Sequence, residues 1–331
     1  MFDYPLEKIE NTNIYLLLQA ADKLGIGWTM LDDDRYEVLL EKNGLAHRFH
    51  AHSFKLNSQQ SIRLTKHKYQ THRLLETHNV PVLTKIQVKS EKEYLKIYDQ
   101  IPFPQVIKPA EGEKGRDVYL NIPNQATALK ALGFVLRNYF SAIVEPYFLG
   151  QDIRILVLNH QAIGLSRRHP PEVVGNGLDT VSQLIKAENQ HRRILNQKSG
   201  IRMLNRINNF KRIAWYLEKQ GLSLSSVIKK GKSLKLQELP NYSAGGWVET
   251  LDVSQIHPDF ISLSEKMSRL ADLTIVGIDW LIKDLPKPPA EANCAVLELN
   301  SDPGLRLHDL PNQGRSQHIA EEVLKYIFDL K

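Results

Sequence analysis

The stretch "VLELNSDPGLRLH", residues 296–308, decides how this chain is read. Glu298 and Asn300 stand two apart in an apolar run, so in a strand they project from one face while Leu297 and Leu299 point from the other. The chain then turns at Pro303-Gly304 into Arg306 and His308. A second run, "TIVGIDWLI" at 274–282, reads as the neighbouring strand. It puts Asp279 on the face of Gly277 and Ile275, with Val276, Ile278 and Trp280 packing opposite. Three oxygen-bearing side chains on adjacent strands, with no soft ligand nearby, suit magnesium, which takes one or two carboxylates and completes its octahedron with phosphate oxygens and water. The competing reading places Asp279 and Glu298 in structural ion pairs or at a sheet edge.

The chain has 331 residues, 42% of them hydrophobic, enough to bury a sizeable core and to form two or three lobes. Its start, "MFDYPLEKIENTN", lacks a basic segment followed by an apolar one. No apolar run approaches the roughly 20 residues of a membrane span. A cytoplasmic protein with no membrane partner is therefore expected. The one cysteine, Cys294, cannot form an internal disulfide or a thiolate-rich metal site. The net charge of +6 favours an anionic partner, whether nucleic acid, phosphorylated cofactor or acidic substrate. The densest basic stretch, "QHRRILNQKSGIRMLNRINNFKR" at 190–212, carries Ile194, Ile201, Leu204, Ile207 and Phe210 as the apolar positions of one or two helices with a solvated basic face. Nucleic-acid binding is accordingly not expected.

Along the chain, "TNIYLLLQAADKLG" (12–25) has a helical pattern closed by Gly25, and two strands follow that turn at Asn43-Gly44. "LTKHKYQTHRLLETHNVPV" (64–82) reads as one helix ending before Pro81. Strand-like runs then alternate with helices: "QVIKP", "DVYLN", "AIVEPY", "DIRILVLN" and "AIGLSRR", later "KSLKLQEL" and "WVETLD". Pro258 opens a helix with Phe260, Leu263, Met267 and Leu270 on one face, and the last helix turns Ile319, Val323 and Ile327 inward. "KDLPKPPAEANC" (283–294) is expected as an exposed loop between strands. The fold class is α/β in the broad α+β sense.

Two further clusters carry chemistry. In "VIKPAEGEKGRDVYL" (106–120) Lys108 leaves a strand at a proline, and Gly112 and Gly115 bracket Glu113-Lys114 ahead of Arg116. A glycine hairpin tip can lay backbone N–H groups over phosphates, with the lysine as a point charge; it can equally be a plain surface turn. In 142–177 Glu145 ends one strand, Asp152 and Arg154 share a face of the next, and Arg167-Arg168 end a third. These arginines suit a triphosphate or an acyl phosphate, with surface salt bridges as the alternative. The Walker pattern, G-x-G-x-x-G, G-x-S-x-G, H-E-x-x-H and a cysteine-based dyad are all absent.

Taken in order, "LTKHKYQTHRLL…NVPV", "VIKPAEGEKGRDV", "VEPYFLGQDIRILVLN", "RRHPPEVVGNGLDTVSQLIKAEN", "NYSAGGW", "HPD", "GIDW" and "LELNSDPGLRLHDLPNQG" resemble the ATP-grasp ligases. Within them the resemblance is to the ligase domain of cyanophycin synthetase and of the bifunctional glutathione synthetases, over roughly residues 65–315. It implies the ATP-grasp fold, with three lobes and ATP between two α+β subdomains: an N-terminal lobe at 1–65, a small subdomain with a glycine flap at 66–146, and a large subdomain with magnesium and substrate sites at 147–331. Lys66 and Lys108 would reach ATP phosphates under a flap containing Gly112, Lys114, Gly115 and Arg116. Glu145, Pro146 and Tyr147 would line the adenine pocket, and Asp152 would hold the ribose. Asp279, Glu298 and Asn300 would bind magnesium, as two ions. Arg154, Arg167 and Arg306 would contact the transferred phosphoryl group or the acyl phosphate, helped by the Gly304 amide. Asn241, Ser243, Gly245 and Gly246 would form the substrate-side loop, with His257 and His308 near it and Asp302 close to the acyl site.

The implied activity joins amino acids or short peptides through an amide bond by way of an acyl phosphate, releasing ADP and phosphate. The alternative is an ATP-binding regulatory or assembly protein without turnover. A homodimer or homotetramer is the implied assembly. Relatives usually carry glycine at the place of Asp117, Asp at that of Asn176 and a small residue at that of Asp302. The chain has neither the Mur-ligase-like portion of cyanophycin synthetase nor the glutamate-cysteine ligase portion of the bifunctional enzymes, so a stand-alone ligase is expected.

Overall fold

The computed structural model describes residues 11–31, 36–50, 53–111 and 117–330. In chain order its elements are α1 (Thr12–Leu24), β1 (Gly27–Met30), β2 (Glu37–Lys42), β3 (Leu45–His50), α2 (Gln59–Lys66), α3 (Lys68–Thr77), β4 (Ile86–Val88), α4 (Glu91–Tyr94), β5 (Gln105–Pro109), β6 (Tyr119–Ile122), α5 (Gln125–Asn138), β7 (Ala142–Pro146) and β8 (Gln151–Leu158). Then come β9 (Gln161–His169), β10 (Glu172–Val174), α6 (Val181–Ser199), α7 (Phe210–Glu218), β11 (Ser233–Lys235), β12 (Trp247–Thr250), α8 (Pro258–Leu270), β13 (Ile275–Ile282), β14 (Cys294–Asn300), α9 (Arg306–Asp309) and α10 (Ile319–Ile327). They fall into two compact units, each discontinuous in sequence. The first comprises Met1–Leu56, Ile163–Leu251 and Asp302–Lys331, and the second Asn57–Ala162 and Asp252–Ser301. The subdomain boundary expected after residue 146 lies inside the second unit.

In the first unit α1 starts where Asn11 accepts hydrogen bonds from the Asn13 and Ile14 amides, and it stops at Gly25, whose φ of 62° suits a residue without Cβ. β1, β2 and β3 form an antiparallel sheet in chain order. β9 and β12 also pair antiparallel, with Arg167 opposite Glu249 and His169 opposite Trp247. A separate apolar cluster gathers Val181, Leu184 and Ile185 of α6 with Ile213 and Leu217 of α7 and Leu234 of β11. Buried Asp309 holds the start of α10 by accepting from Ile319 N at 2.6 Å and Ala320 N at 2.9 Å.

The second unit contains the sheet β4-β7-β5-β6, covered by α5 through Ala128, Leu132 and Val135. It also contains the antiparallel run β8-β13-β14. Against the latter, Phe260 of α8 meets Trp280 edge-on at 5.2 Å, and the Trp280 indole N–H donates to Ser264 Oγ at 3.0 Å. Such an aromatic pair adds about 0.5–1.5 kcal/mol beyond its buried area.

Several expectations are corrected. The single helix at 64–82 is two, α2 and α3, because His67 takes a non-helical φ of −89° and ψ of 82°. The basic stretch is helical only to Ser199, where Gly200 closes α6 at φ 71°, and again from Phe210. Its face is not wholly solvated: Arg192 is buried and donates to Glu188, Asn205 O and Gly245 O. Ile194 and Phe210, expected inward, are exposed. Asp117, expected to stand where the resembled family has glycine, has a φ of 50° and accepts from the Tyr139 hydroxyl at 2.9 Å. Among the described residues no helix is long and apolar enough to cross a membrane.

Candidate functional site

Residues directly opposite in an antiparallel ladder share a face, and β13 and β14 set Asp279 against Glu298 and Gly277 against Asn300. The three oxygen-bearing side chains therefore lie together on one face, Asp279 buried and the other two half-buried. The register then slips: the next pair is Trp280 with Val296, so Leu297 is an extra residue in β14. Plain alternation does not foresee that bulge. On the other side of β13, Arg154 of β8 stands opposite Asp279. Its Nε donates to Asp279 Oδ1 and its Nη2 to Oδ2 at 2.8 Å, with both residues buried. Arg154, expected to touch a phosphoryl group, thus orients an expected metal ligand. Two carboxylates and an amide fit magnesium in donor type. Among the described residues no group of three or more His, Cys, Asp and Glu is gathered as a metal centre; the set on this face is two carboxylates and the Asn300 amide.

The second sheet of this unit brings up a lysine-rich cluster. Lys108 on β5 donates to Glu145 on β7 at 2.5 Å. Glu145 Oε2 is buried and takes no hydrogen bond from the described residues. Burial works to raise the Glu145 carboxyl, but the Lys108 and Lys85 ammoniums hold it below its ordinary value. Lys85 was not anticipated from the sequence. It is buried, and burial together with the charge of Lys108 pulls its ammonium down to about 8. Lys85, Lys68, His72 and Glu298 line one small recess. Lys66 is exposed at the end of α2, whereas Lys68, first residue of α3, faces the recess. His72 Nε2 bonds the Leu83 carbonyl at 2.7 Å. Half-buried Pro146 pairs with Gln105, and the Tyr147 amide donates to Pro104 O at 2.7 Å. Asp152 is buried on β8, two residues before Arg154. Gly112, Lys114, Gly115 and Arg116 lie outside the described residues.

The remaining expected residues, apart from His257, belong to the first unit. Arg167 clasps Glu249 through Nε at 2.9 Å and Nη2 at 2.6 Å, and His169 meets the same oxygen at 3.2 Å. His169 stacks on Trp247 with centroids 3.7 Å apart, and burial lowers its imidazole pKa despite Glu249. Arg306 lies over the Tyr242 ring at 4.3 Å and donates to Arg202 O at 2.9 Å. Asn241 caps a short turn by accepting from the Ser243 amide, while the Ser243 residue is exposed. Gly245 has a φ of 98°, and a Cβ there would lie 2.7 Å from the Ile207 backbone. At Gly246 a Cβ would lie 2.5 Å from His169 O. Asp302 and Gly304 are half-buried, with the following Leu305 amide donating to Asn13 Oδ1 at 3.2 Å.

The two histidines have structural surroundings. His308, expected near the substrate loop, is fully buried, bonded to Gln317 Oε1 at 2.9 Å and packed where Gly164 leaves room. His257, in the second unit, is the N-cap of α8 and accepts from the Asp259 amide. Besides Lys85, sequence reading missed Lys68, Glu249 and Trp247. Isolated lysines and glutamates carry no spacing signal, and their convergence depends on strand register.

Residues 65–176 match the family described as the RimK-like ATP-grasp domain. Over 317 residues the chain is 32% identical to cyanophycin synthetase of Synechocystis sp., a match covering 94% of this chain and 36% of that protein. The glutathione biosynthesis bifunctional protein GshAB of Clostridium perfringens is 29% identical over 201 residues, or 60% of this chain and 25% of that protein. Among solved structures, a bifunctional glutathione synthetase from Pasteurella multocida aligns with a TM-score of 0.68 at 23% identity, covering 98% of this chain and 45% of that one. The chain spans about a third or less of the length of these curated relatives.

Proposed function

We propose, from the premise that this chain carries the ATP-grasp fold with a RimK-like ATP-grasp domain at residues 65–176, that it is an ATP-dependent carboxylate–amine ligase acting on amino acids or short peptides. The observation that carries the reading is the content of one compact unit: Lys108 paired to Glu145 on one sheet, and Asp279, Glu298 and Asn300 sharing a face on another. Hard oxygen donors and ammonium groups are what a magnesium nucleotide requires, and the unit offers both.

Lys108 and Lys68 offset phosphate charge, and Glu145 keeps Lys108 in place. Asp279, Glu298 and Asn300 would hold the two magnesium ions, whose Lewis acidity would stabilise charge on the phosphoryl oxygens. Arg154 keeps the Asp279 carboxylate in one orientation. The substrate carboxylate attacks the γ-phosphate of ATP, forming the O–P bond of an acyl phosphate as ADP leaves. The amine then attacks the acyl carbon, phosphate departs and the amine loses a proton. No side-chain nucleophile is needed, in keeping with a sequence that has no serine or cysteine motif. The reading assigns Arg167, Arg306 and the Gly304 amide to the acyl phosphate, and Asn241, Ser243 and Asp302 to the substrate.

The test is ADP release from magnesium-ATP across a panel of amino acids and dipeptides, with hydroxylamine added to trap the acyl phosphate. Substrate-dependent ADP and a hydroxamate are expected. ATP binding with no ADP from any substrate would favour the regulatory alternative, and absence of both would end the ligase reading.

A further inference from the structure

Lys85 has no part in the expected site, yet it stands where the two sheets of the second unit approach each other. The next residue, Ile86, begins β4 opposite Val144 of β7, the neighbour of Glu145. The Lys85 side chain reaches β14, where Nζ donates to the Leu297 carbonyl at 3.2 Å. Leu297 is the extra residue at which the β13–β14 register passes from Asp279–Glu298 to Trp280–Val296.

That insertion governs the site. Val296 and Glu298, two apart, would share a face in an uninterrupted strand. The extra residue lets Val296 lie with Trp280 on one face while Glu298 joins Asp279 on the other. The neighbouring chain reinforces the same point: the Val296 amide donates to Pro81 O at 2.8 Å, and Val82 bridges Val296 in parallel. Lys85 is 8% exposed, so water competes little for the carbonyl it holds. Its charge also faces Glu145 and Glu298.

We propose that Lys85 is a positioning residue that pins the Leu297 bulge and thereby sets Glu298 and Asn300 to hold magnesium, a role that rests on the ligase reading above. Outer contacts of this kind change metal affinity by about 10–100-fold when removed.

The test measures Mn²⁺ binding by electron paramagnetic resonance on the full chain with a non-hydrolysable ATP analogue, for wild type, Lys85→Met and Lys85→Arg. Thermal melts by circular dichroism and analogue binding without metal are followed in parallel. Methionine keeps an apolar stem but cannot donate, whereas arginine can donate to the carbonyl. The expected result is Mn²⁺ binding weakened by about tenfold or more in Lys85→Met and largely recovered in Lys85→Arg, with metal-free analogue binding little changed. Equal Mn²⁺ affinity in wild type and Lys85→Met overturns the proposal alone. So does Lys85→Arg binding Mn²⁺ no better than Lys85→Met while melting like wild type. If Lys85→Met does not fold, the arginine variant decides, and loss of Mn²⁺ binding in a normally folded Lys85→Arg counts against the proposal. A wild type that binds neither analogue nor Mn²⁺ overturns the ligase reading and the proposal together.

Discussion

Arg154 and Asp279 face each other across adjacent strands, with Nη2 donating to Oδ2 at 2.8 Å and both residues buried. Removing one partner leaves a charge stranded in a low-dielectric interior, which costs about 3–5 kcal/mol. Arg154→Met should lower the unfolding free energy by that amount in urea titration. The double variant Arg154→Met with Asp279→Leu should be less destabilised than the sum of the two single changes, and additive losses would argue that the pair is not coupled.

Glu298→Gln keeps the shape of the side chain and removes its charge. On the ligase reading, turnover should fall by at least about 100-fold, more than the loss of an outer contact gives, with an unchanged thermal melt. ADP release at saturating ATP is the readout, and full activity would remove Glu298 from the metal site.

Glu145 links stability to pH. Its carboxyl is held below the ordinary 4.5 in the folded chain, chiefly by Lys108 and Lys85 acting against burial. A depressed carboxylate stabilises the fold at pH above its unfolded value and loses that contribution as pH falls through the folded value. Wild type should therefore lose stability relative to Glu145→Gln on acidification from pH about 4.5 downward. Urea titrations of the two proteins between neutral pH and pH 3 would reveal it, and parallel curves would count against the ion pair.

Cys294 should react slowly. Burial pushes its thiol up to about 11, and Sγ–H donates to Pro289 O. At pH 8 only about one molecule in a thousand carries the thiolate that alkylating reagents need. Iodoacetamide labelling should be much slower in the native protein than in guanidinium chloride, as read by mass spectrometry.

Gly246→Ala separates packing from substrate contact in the 241–246 loop. An added Cβ would lie 2.5 Å from His169 O, a backbone atom, so the variant should lose about 1–3 kcal/mol of stability. An unchanged melt would show that the loop yields easily.

Periodicity alone was enough to mark β13 and β14 as strands, to put Glu298 and Asn300 on one face of β14 and to mark Pro258 as the start of α8, because these are properties of neighbours in the chain; that Asp279 joins the same face was decided by strand register. The break at His67 and the irregular course after Gly200 were not read from the sequence, since both segments keep helical apolar spacing across the interruption. The interior position of His308 was equally hidden, because a lone histidine after a turn carries no sign of which way the chain folds. Strand register belongs to pairs of distant residues, so Arg154 against Asp279, Lys108 against Glu145 and Lys85 on the Leu297 bulge came from the tertiary structure alone. In "VLELNSDPGLRLH" the sequence determined the alternation and hence which side chains travel together. The tertiary structure decided which neighbours hold them, because the pairing of β14 with β13 and the Lys85 contact to the Leu297 carbonyl, made across 212 residues, join parts of the chain that are distant in sequence.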